Sequence, residues 1–282
     1  MQELISAKFA LENFFQKPNV VFLDATFHLP NSGRNALEEY NNQHIPNARF
    51  FDIDQISDKK SNLPHMLPDE VFFSKMVGSL GVNSDDTVVV YDNSIFFSSA
   101  RAWWMFKTFG HKNIKIIDGG LKAWLDCDGP FSNEKSQTKE VSYIANKRNL
   151  SSYDTLENIL SDLKSDKNKI VIDARGEDRF LAKVKEPRPG IKSGHIPSSL
   201  NIPISSIIDK SSNCLKSIDE IREIFTTLGL TNKNSELVMT CGSGVTACGL
   251  AIAANSLGFT NVKVYDGSWS EWGSREETPV EI

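Results

Sequence analysis

The residues with the clearest potential for chemistry run from Thr240 to Ala247 and read Thr-Cys-Gly-Ser-Gly-Val-Thr-Ala. The apolar run 237–239 precedes them, and an alanine-rich stretch, 245–257, follows. This pattern predicts a buried strand, a tight loop and a helix, with the thiol of Cys241 at the loop entrance. The N–H groups of such a loop converge on one point, and the helix N-terminus adds a positive partial charge. Both favour the thiolate, so Cys241 is predicted to be an activated nucleophile.

Composition and charge limit the kinds of protein that this chain can be. Its 282 residues are enough for two domains, and 40% hydrophobic with 24% charged residues is normal for a protein with full cores. The net charge of -5 argues against a nucleic-acid partner. No apolar run approaches the roughly 18 residues of a membrane helix, so no membrane partner is expected. The N-terminus lacks the pattern of a signal or transit peptide.

The four cysteines indicate a reducing environment. Cys127, Cys214, Cys241 and Cys248 include no C-x-x-C pair, which weakens interpretations as a zinc site or a thioredoxin-type centre. If two helical turns separate Cys241 from Cys248, the two lie roughly 10 Å apart, too far for a disulfide. A cytoplasmic location is therefore expected. No metal ion and no organic cofactor is indicated by the sequence.

The chain contains one pattern twice, and the second copy begins about 150 positions after the first. Asp24, at the end of Val-Phe-Leu-Asp, corresponds to Asp173, at the end of Val-Ile-Asp. Each copy contains His-Ile-Pro, beginning at His44 and at His195. We therefore predict two copies of one domain, at 1–140 and 150–282, with the boundary in a polar stretch.

Strand-like and helix-like segments alternate within each copy. The short β-branched runs are 20–23, 88–91, 114–117, 170–172, 237–239 and 262–265. The amphipathic segments include 69–80, 100–109, 153–163 and 217–228. This alternation predicts an α/β fold in which each copy forms a mainly parallel sheet with helices on both faces. Ligands of such sheets bind beyond the C-terminal ends of the strands, where Cys241 lies.

The two copies differ at the position of the nucleophile. The first copy has Asp92 where the second has Cys241. A carboxylate cannot replace a thiolate as a soft nucleophile. The first copy is therefore predicted to be catalytically silent in its own loop, while still supplying walls and side chains.

The unequal copies, the loop 241–247 and the segment Tyr-Asp-Gly-Ser-Trp-Ser-Glu-Trp at 265–272 resemble the tandem rhodanese-like sulfurtransferases. The resemblance covers nearly the whole chain and implies a paired rhodanese fold with a cysteine persulfide as intermediate. The neutral pair Gly242-Ser243 is similar to the branch that uses 3-mercaptopyruvate, because the thiosulfate branch usually has basic residues there. The resemblance thus implies that sulfur passes from 3-mercaptopyruvate to a small thiol, thioredoxin or cyanide, with release of pyruvate.

The same resemblance implies roles for individual residues. Cys241 matches the sulfur-accepting cysteine, and Arg179 and Arg188 match two arginines that bind the substrate carboxylate. Ser243 matches a loop serine, and His65 and Asp54 match a histidine and an aspartate proposed to act with it. The loop N–H groups expected to stabilise the anionic sulfur include those of Gly242, Gly244, Val245 and Thr246. One departure is Ser198-Ser199, where the family commonly has Gly-Ala after the second His-Ile-Pro.

Several alternatives remain open from the residues alone. A surface position explains His65 equally well, a helix cap explains Asp54, and a small loop residue explains Ser243. A thiosulfate:cyanide sulfurtransferase differs from the favoured activity only in its donor. A cysteine-dependent phosphatase needs an arginine that clamps phosphate, and Ala247 stands at that position. A non-catalytic rhodanese-like binding module is the most distant alternative, and the intact loop around Cys241 argues against it.

Overall fold

A computed structural model describes residues 3–29, 32–165 and 169–282. The chain forms two compact units. The first unit is built from Met1–Asp58, Pro68–Asn149 and Asp209–Leu215, and the second from Lys59–Leu67, Leu150–Ile208 and Lys216–Ile282. Each unit therefore includes one short segment that belongs to the other copy in sequence.

The first unit contains a five-stranded parallel sheet in the order β1-β5-β4-β2-β3. Its strands are β1 (Leu4–Ser6), β2 (Val20–Asp24), β3 (Arg49–Phe50), β4 (Thr87–Tyr91) and β5 (Ile114–Asp118). Its helices are α1 (Ala7–Asn13), α2 (Ala36–Asn42), α3 (Glu70–Ser79), α4 (Ser99–Thr108) and α5 (Gly120–Asp126).

The second unit repeats this topology, with a parallel sheet in the order β6-β10-β9-β7-β8. Its strands are β6 (Tyr153–Asp154), β7 (Ile170–Asp173), β8 (Leu200–Asn201), β9 (Glu236–Thr240) and β10 (Asn261–Tyr265). Its helices are α6 (Leu156–Ser165), α7 (Glu177–Phe180), α8 (Ile218–Thr227), α9 (Val245–Ser256) and α10 (Ser268–Trp272), and a 3-10 turn covers Ile204–Ser206.

The predicted α/β class with parallel sheets is confirmed in both units. Residues 88–90 of β4 and 237–239 of β9 are each fully buried. Because successive residues of a strand point to opposite faces, helices and loops must cover both faces of these central strands. Among the described residues, no helix is both long and apolar enough to cross a membrane.

One predicted element was wrong. The segment 153–163 does not form a single helix, because Tyr153 and Asp154 pair with β10 as an edge strand and the helix starts only at Leu156. The Asp154 carboxylate accepts hydrogen bonds from the Thr155 N–H at 2.9 Å and from Asn158 Nδ2 at 2.7 Å. These bonds stabilise the break between strand and helix.

The repeat extends to details of the cores. Trp124 and Trp272 are both fully buried, and their indole N–H groups donate to the carbonyl oxygens of Pro130 and Pro279, each at 2.8 Å. The turn after His-Ile-Pro also recurs, with Asn47 at φ 64° in the first copy and Ser198 at φ 60° in the second. A left-handed residue at this point favours glycine, and this chain keeps the turn with asparagine and serine.

The two copies differ in the group that pairs with an equivalent buried carboxylate. Asp173, at the end of β7, forms an ion pair with Arg175 at 2.7 Å. Asp24, at the end of β2, is also buried, but Thr26 stands two residues later and donates its N–H to Asp24 Oδ1 at 2.9 Å. Burial, reinforced by the charge of Asp92, raises the pKa of Asp24 to about 7.

This difference predicts a pH dependence of stability. The folded state holds the Asp24 proton up to about pH 7, whereas the ordinary pKa of an aspartic acid side chain is 3.8. Stabilisation by this proton is present at low pH and is lost as pH rises from about 4 to about 7. Asp24→Asn should remove this loss, so the free energy of unfolding of the variant should gain on the wild type across that range. Urea unfolding at several pH values tests this.

The control for that experiment is Asp85→Asn, the same substitution at an exposed residue of the first unit. It should leave the pH dependence of the wild type in place. A constant difference between wild type and Asp24→Asn from pH 4 to pH 7 would contradict the assignment.

Candidate active site

Cys241 lies immediately after β9, at the C-terminal edge of the second sheet, and its side chain is buried. Its N–H donates to Ser268 Oγ at 3.2 Å, and its carbonyl oxygen accepts from the Trp269 N–H at 2.9 Å. Ser268 and Trp269 open α10, so the start of this helix holds both backbone groups of Cys241. The thiol therefore stands on a backbone that has little freedom.

The cysteine loop, residues 241–247, continues into α9 through a left-handed glycine. Gly244 is the N-cap residue of α9 with φ 78°, and no N-cap side chain accepts from the first turn of the helix. The first N–H groups of a helix have no partner within it. Within the described residues, the N–H groups of Gly242 and Ser243 also have no hydrogen-bond partner. The loop that begins at Cys241 and the start of α9 thus contain backbone N–H groups that can bind an anion.

The same position in the first unit is filled by a carboxylate. Asp92 Oδ1 accepts from the N–H and the hydroxyl of Ser94, both at 2.8 Å, and Oδ2 accepts from the N–H of Ser99 at 2.8 Å. Ser99 is the first residue of α4. In the first loop a side-chain carboxylate therefore accepts from backbone N–H groups, whereas the second loop has Cys241 at this position.

Arg179 and Arg188 both approach the cysteine loop. A methyl group placed on the Cα of Gly242 would lie 3.3 Å from Arg179 Nη2 and 3.9 Å from Arg188 Nη1. Arg179 is carried by the short helix α7, which is stabilised because His195 Nδ1 donates to the Phe180 carbonyl oxygen at 2.9 Å and the His195 ring stacks on the Phe180 ring. Two guanidinium groups thus converge beside the residue that follows Cys241.

An acidic network behind Arg179 was missed by the sequence reasoning. Glu186 binds Arg179 through Nη2 at 2.5 Å and Arg175 through Nη1 at 2.9 Å. Arg175 is itself buried, binds Asp173, and lies 4.2 Å from the centre of the Trp269 ring. The available signal was that Glu186 is the one acidic residue in the otherwise basic stretch 179–192.

His65 and Ser243 meet in the second unit although 178 positions separate them. His65 Nδ1 lies 2.9 Å from Ser243 Oγ, and both side chains are buried. The segment Lys59–Leu67 is anchored nearby, since the Leu67 N–H donates to Asp266 Oδ2 at 2.7 Å. His65 has φ 60°, a left-handed conformation that is uncommon outside glycine.

The remaining predicted residues are placed less centrally. Asp54 belongs to the first unit, where its carbonyl oxygen accepts from Ser57 Oγ at 2.6 Å. Val245 and Thr246 form the first turn of α9, and Thr246 is half-exposed while Val245 is buried. Cys248 points into the core of the second unit, where its Sγ lies 3.1 Å from the Gly244 carbonyl oxygen. Gly242 and Thr246 are therefore the parts of the loop most open to solvent.

Comparisons with known proteins show which family this chain is similar to. A family model described as "Rhodanese-like domain" matches residues 9–127 and 154–275. The 3-mercaptopyruvate sulfurtransferase of Escherichia coli K12 is 40% identical over 96% of this chain and 95% of its own length. Thiosulfate/3-mercaptopyruvate sulfurtransferase 1 of Arabidopsis thaliana, a mitochondrial protein by name, is 37% identical over 94% of this chain and 75% of its own length.

A solved structure extends the similarity to three dimensions. The Tum1 protein of Saccharomyces cerevisiae aligns with a TM-score of 0.90 at 30% identity, covering 99% of this chain and 98% of that protein. Both domain matches, the relatives that align over most of their length, and the cysteine loop at the edge of the second sheet lead to one family. This chain belongs to the tandem-domain rhodanese-like sulfurtransferases.

Proposed function

We propose that this chain transfers sulfur from 3-mercaptopyruvate to a thiophilic acceptor through a persulfide on Cys241, releasing pyruvate. The observation that carries the proposal is the approach of two guanidinium groups, those of Arg179 and Arg188, to within 4 Å of a methyl position on Gly242. A small keto acid needs an anchor for its carboxylate, and the planar fork of arginine binds both carboxylate oxygens. The name of the Escherichia coli relative supports the same donor.

In the first half-reaction, the Cys241 thiolate attacks the sulfur of bound 3-mercaptopyruvate. A sulfur–sulfur bond forms while the carbon–sulfur bond breaks, and its electron pair remains on pyruvate as the enolate. The enolate takes up a proton to give pyruvate. We expect N–H groups of the loop, including those of Gly242, Gly244, Val245 and Thr246, to stabilise negative charge on sulfur, as an oxyanion hole stabilises it on oxygen.

In the second half-reaction, an acceptor removes the outer sulfur. A thiolate of a small thiol or of reduced thioredoxin, or a cyanide ion, attacks the outer sulfur, and the bond to Cys241 Sγ breaks with its electron pair left on the cysteine. The chain needs no metal or organic cofactor for either step. We place the reaction in the cytoplasm, because all four cysteines are free thiols, as expected in a reducing compartment.

We assign the proton for the enolate to Ser243 and His65. When the ring is protonated at Nδ1, His65 can donate to Ser243 Oγ at 2.9 Å, so the Ser243 hydroxyl can pass its own proton to the enolate and take the His65 proton in return. The family resemblance assigns Asp54 a part in the same reaction. The first copy, 1–140, is proposed to be silent because Asp92 already occupies its loop.

Replacement of His65 or Ser243 tests this proton route. His65→Ala should lower kcat with 3-mercaptopyruvate by about 100-fold, because the enolate would then depend on water for its proton. Ser243→Ala should fall by a similar factor, and the double variant should fall no further than either single one if the two act as one unit. Steady-state pyruvate formation measures all three. Unchanged turnover in His65→Ala would require the route to be abandoned.

Gly244 offers a test of the loop geometry. Its φ of 78° makes Gly244→Ala strained, at a cost of about 1 kcal/mol in the free energy of unfolding. The displaced loop should also reduce sulfur transfer by about tenfold or more. The matched control is Gly229→Ala, at φ 77° with open space around it. Similar unfolding free energies but unequal activities are expected, and equal activities would count against the loop donors.

The decisive experiment compares donors on the purified protein. Incubation with 3-mercaptopyruvate should yield pyruvate and an adduct of about 32 Da, one sulfur atom, on the peptide that contains Cys241. Turnover with 3-mercaptopyruvate should exceed turnover with thiosulfate. Absence of both pyruvate and the adduct would refute the proposal.

A second candidate is thiosulfate:cyanide sulfur transfer. The name of the Arabidopsis thaliana relative includes thiosulfate as well as 3-mercaptopyruvate. The two arginines beside Gly242 would also attract a dianion such as thiosulfate. Faster turnover with thiosulfate than with 3-mercaptopyruvate would favour this donor while leaving the Cys241 persulfide in place.

A further inference from the structure

Glu186 is the acidic residue in the basic stretch 179–192, and its side chain is only 4% exposed. Its Oε1 accepts from Arg179 Nε at 3.1 Å and from Arg175 Nη1 at 2.9 Å. Its Oε2 accepts from Arg179 Nη2 at 2.5 Å. Both oxygens of one buried carboxylate are therefore committed to two arginines with different surroundings.

The pairing uses one specific edge of the Arg179 guanidinium. Arginine has five N–H donors in a planar fork, and Glu186 takes the edge formed by Nε and Nη2. The remaining edge carries one hydrogen of Nη1 and the second hydrogen of Nη2. This edge lies beside the cysteine loop, with Nη2 at 3.3 Å and Nη1 at 3.8 Å from a methyl position on Gly242.

Glu186 is itself held in place from behind. Arg175 donates to Asp173 through Nη2 at 2.7 Å and to the Gly194 carbonyl oxygen at 2.8 Å, and its guanidinium stacks on the Trp269 ring. Because these contacts fix the Arg175 guanidinium, they also restrict the movement of the Glu186 carboxylate that binds it. Contacts therefore connect Asp173 to Arg175, Arg175 to Glu186, and Glu186 to Arg179. The Nη1–Nη2 edge of Arg179, which Glu186 does not bind, lies beside the cysteine loop.

We infer that Glu186 is a positioning residue that fixes Arg179 so that its Nη1–Nη2 edge receives the carboxylate of the sulfur donor. The inference rests on the proposed function. An arginine whose side chain is 24% exposed would otherwise sample several rotamers, and ordering it on binding would weaken affinity. Glu186 removes that cost before the substrate arrives, and leaves the two N–H donors of the Nη1–Nη2 edge for it.

The closing experiment is a double-mutant cycle on the full chain. Glu186→Gln keeps an oxygen that can accept from Arg175 but places an amide opposite Arg179 Nη2. KM for 3-mercaptopyruvate should rise by about tenfold or more, since a charge-assisted hydrogen bond is lost, while kcat stays within about threefold. Glu186→Asp should recover part of the affinity. In an Arg179→Ala background, Glu186→Gln should have no further effect on KM.

Two controls make the outcomes distinct. Glu177→Gln removes the same charge from an exposed residue of α7, and should leave KM unchanged. Thermal unfolding of each variant and the inhibition constant of pyruvate, a non-reacting keto acid, are measured alongside. If Glu186→Gln fails to fold, the Glu186→Asp arm carries the cycle.

Three results would overturn the inference. They are an unchanged KM in folded Glu186→Gln, an equal rise in KM when Arg179 is already alanine, and an equal rise in Glu177→Gln. Failure of the wild type to produce pyruvate from 3-mercaptopyruvate would instead refute the proposed function, whatever the variants do.

Discussion

Cys241→Ser is expected to abolish sulfur transfer while leaving the fold intact. Serine is nearly isosteric with cysteine, and the backbone bonds to Ser268 and Trp269 do not involve the side chain. A hydroxyl at this position cannot accept and release a sulfur atom under these conditions, because its oxygen is protonated and is a poor nucleophile toward sulfur. Turnover with 3-mercaptopyruvate should fall below detection, and the adduct of about 32 Da should disappear.

The control is Cys248→Ala, which removes the other cysteine of this stretch. Cys248 is fully buried in the core of the second unit, and its Sγ lies against the Gly244 carbonyl oxygen. This variant should keep the adduct on Cys241. Circular dichroism and thermal unfolding establish that both variants fold. Persistent turnover or a remaining adduct in folded Cys241→Ser would move the sulfur carrier elsewhere in the chain.

Arg188→Ala should impair the use of 3-mercaptopyruvate far more than the use of thiosulfate. The guanidinium of Arg188 lies on the same side of Gly242 as that of Arg179, so its loss leaves the substrate carboxylate with half of its anchor. A hydrogen bond to a charged group contributes about 1.5–3 kcal/mol, which corresponds to about 10- to 150-fold in kcat/KM. Arg188→Lys should recover only part of this, because an ammonium lacks the planar fork.

A matched control separates the anchor from the general field. Lys185→Ala removes an exposed cation three residues away in the same segment, and should change kcat/KM little for either donor. Parallel kinetics with the two donors give the comparison. If both donors lost activity equally in Arg188→Ala, or if Lys185→Ala behaved like it, the carboxylate anchor would be wrong.

The central strands could be predicted from the sequence, whereas one edge strand could not. The runs at 88–91 and 237–239 were readable because residues buried on both faces of a parallel sheet must be apolar at successive positions. Tyr153–Asp154 was not readable, because a two-residue edge strand has no periodicity of its own. Its pairing with β10 comes from the neighbour that it finds in the folded unit.

The site divides in the same way. Adjacent residues determine a strand–loop–helix unit. The sequence therefore predicts the loop that contains Cys241, the helix that follows it, and the aspartate at the equivalent position of the first copy. The pairing of Arg179 with Arg188 was inferred from a resemblance, and the structure shows that both guanidinium groups lie close to Gly242.

The sequence alone therefore determined the repeat, the α/β class and the position of the proposed nucleophile, since each depends on short-range periodicity and residue type. Only the tertiary structure decided that His65 meets Ser243 and that Glu186 joins Arg175 to Arg179. Such contacts depend on how loops fold back onto the edge of a sheet. A buried charge is tolerated only where the folded chain also brings its hydrogen-bond partners to it. The spacing of residues along the chain does not predict these contacts.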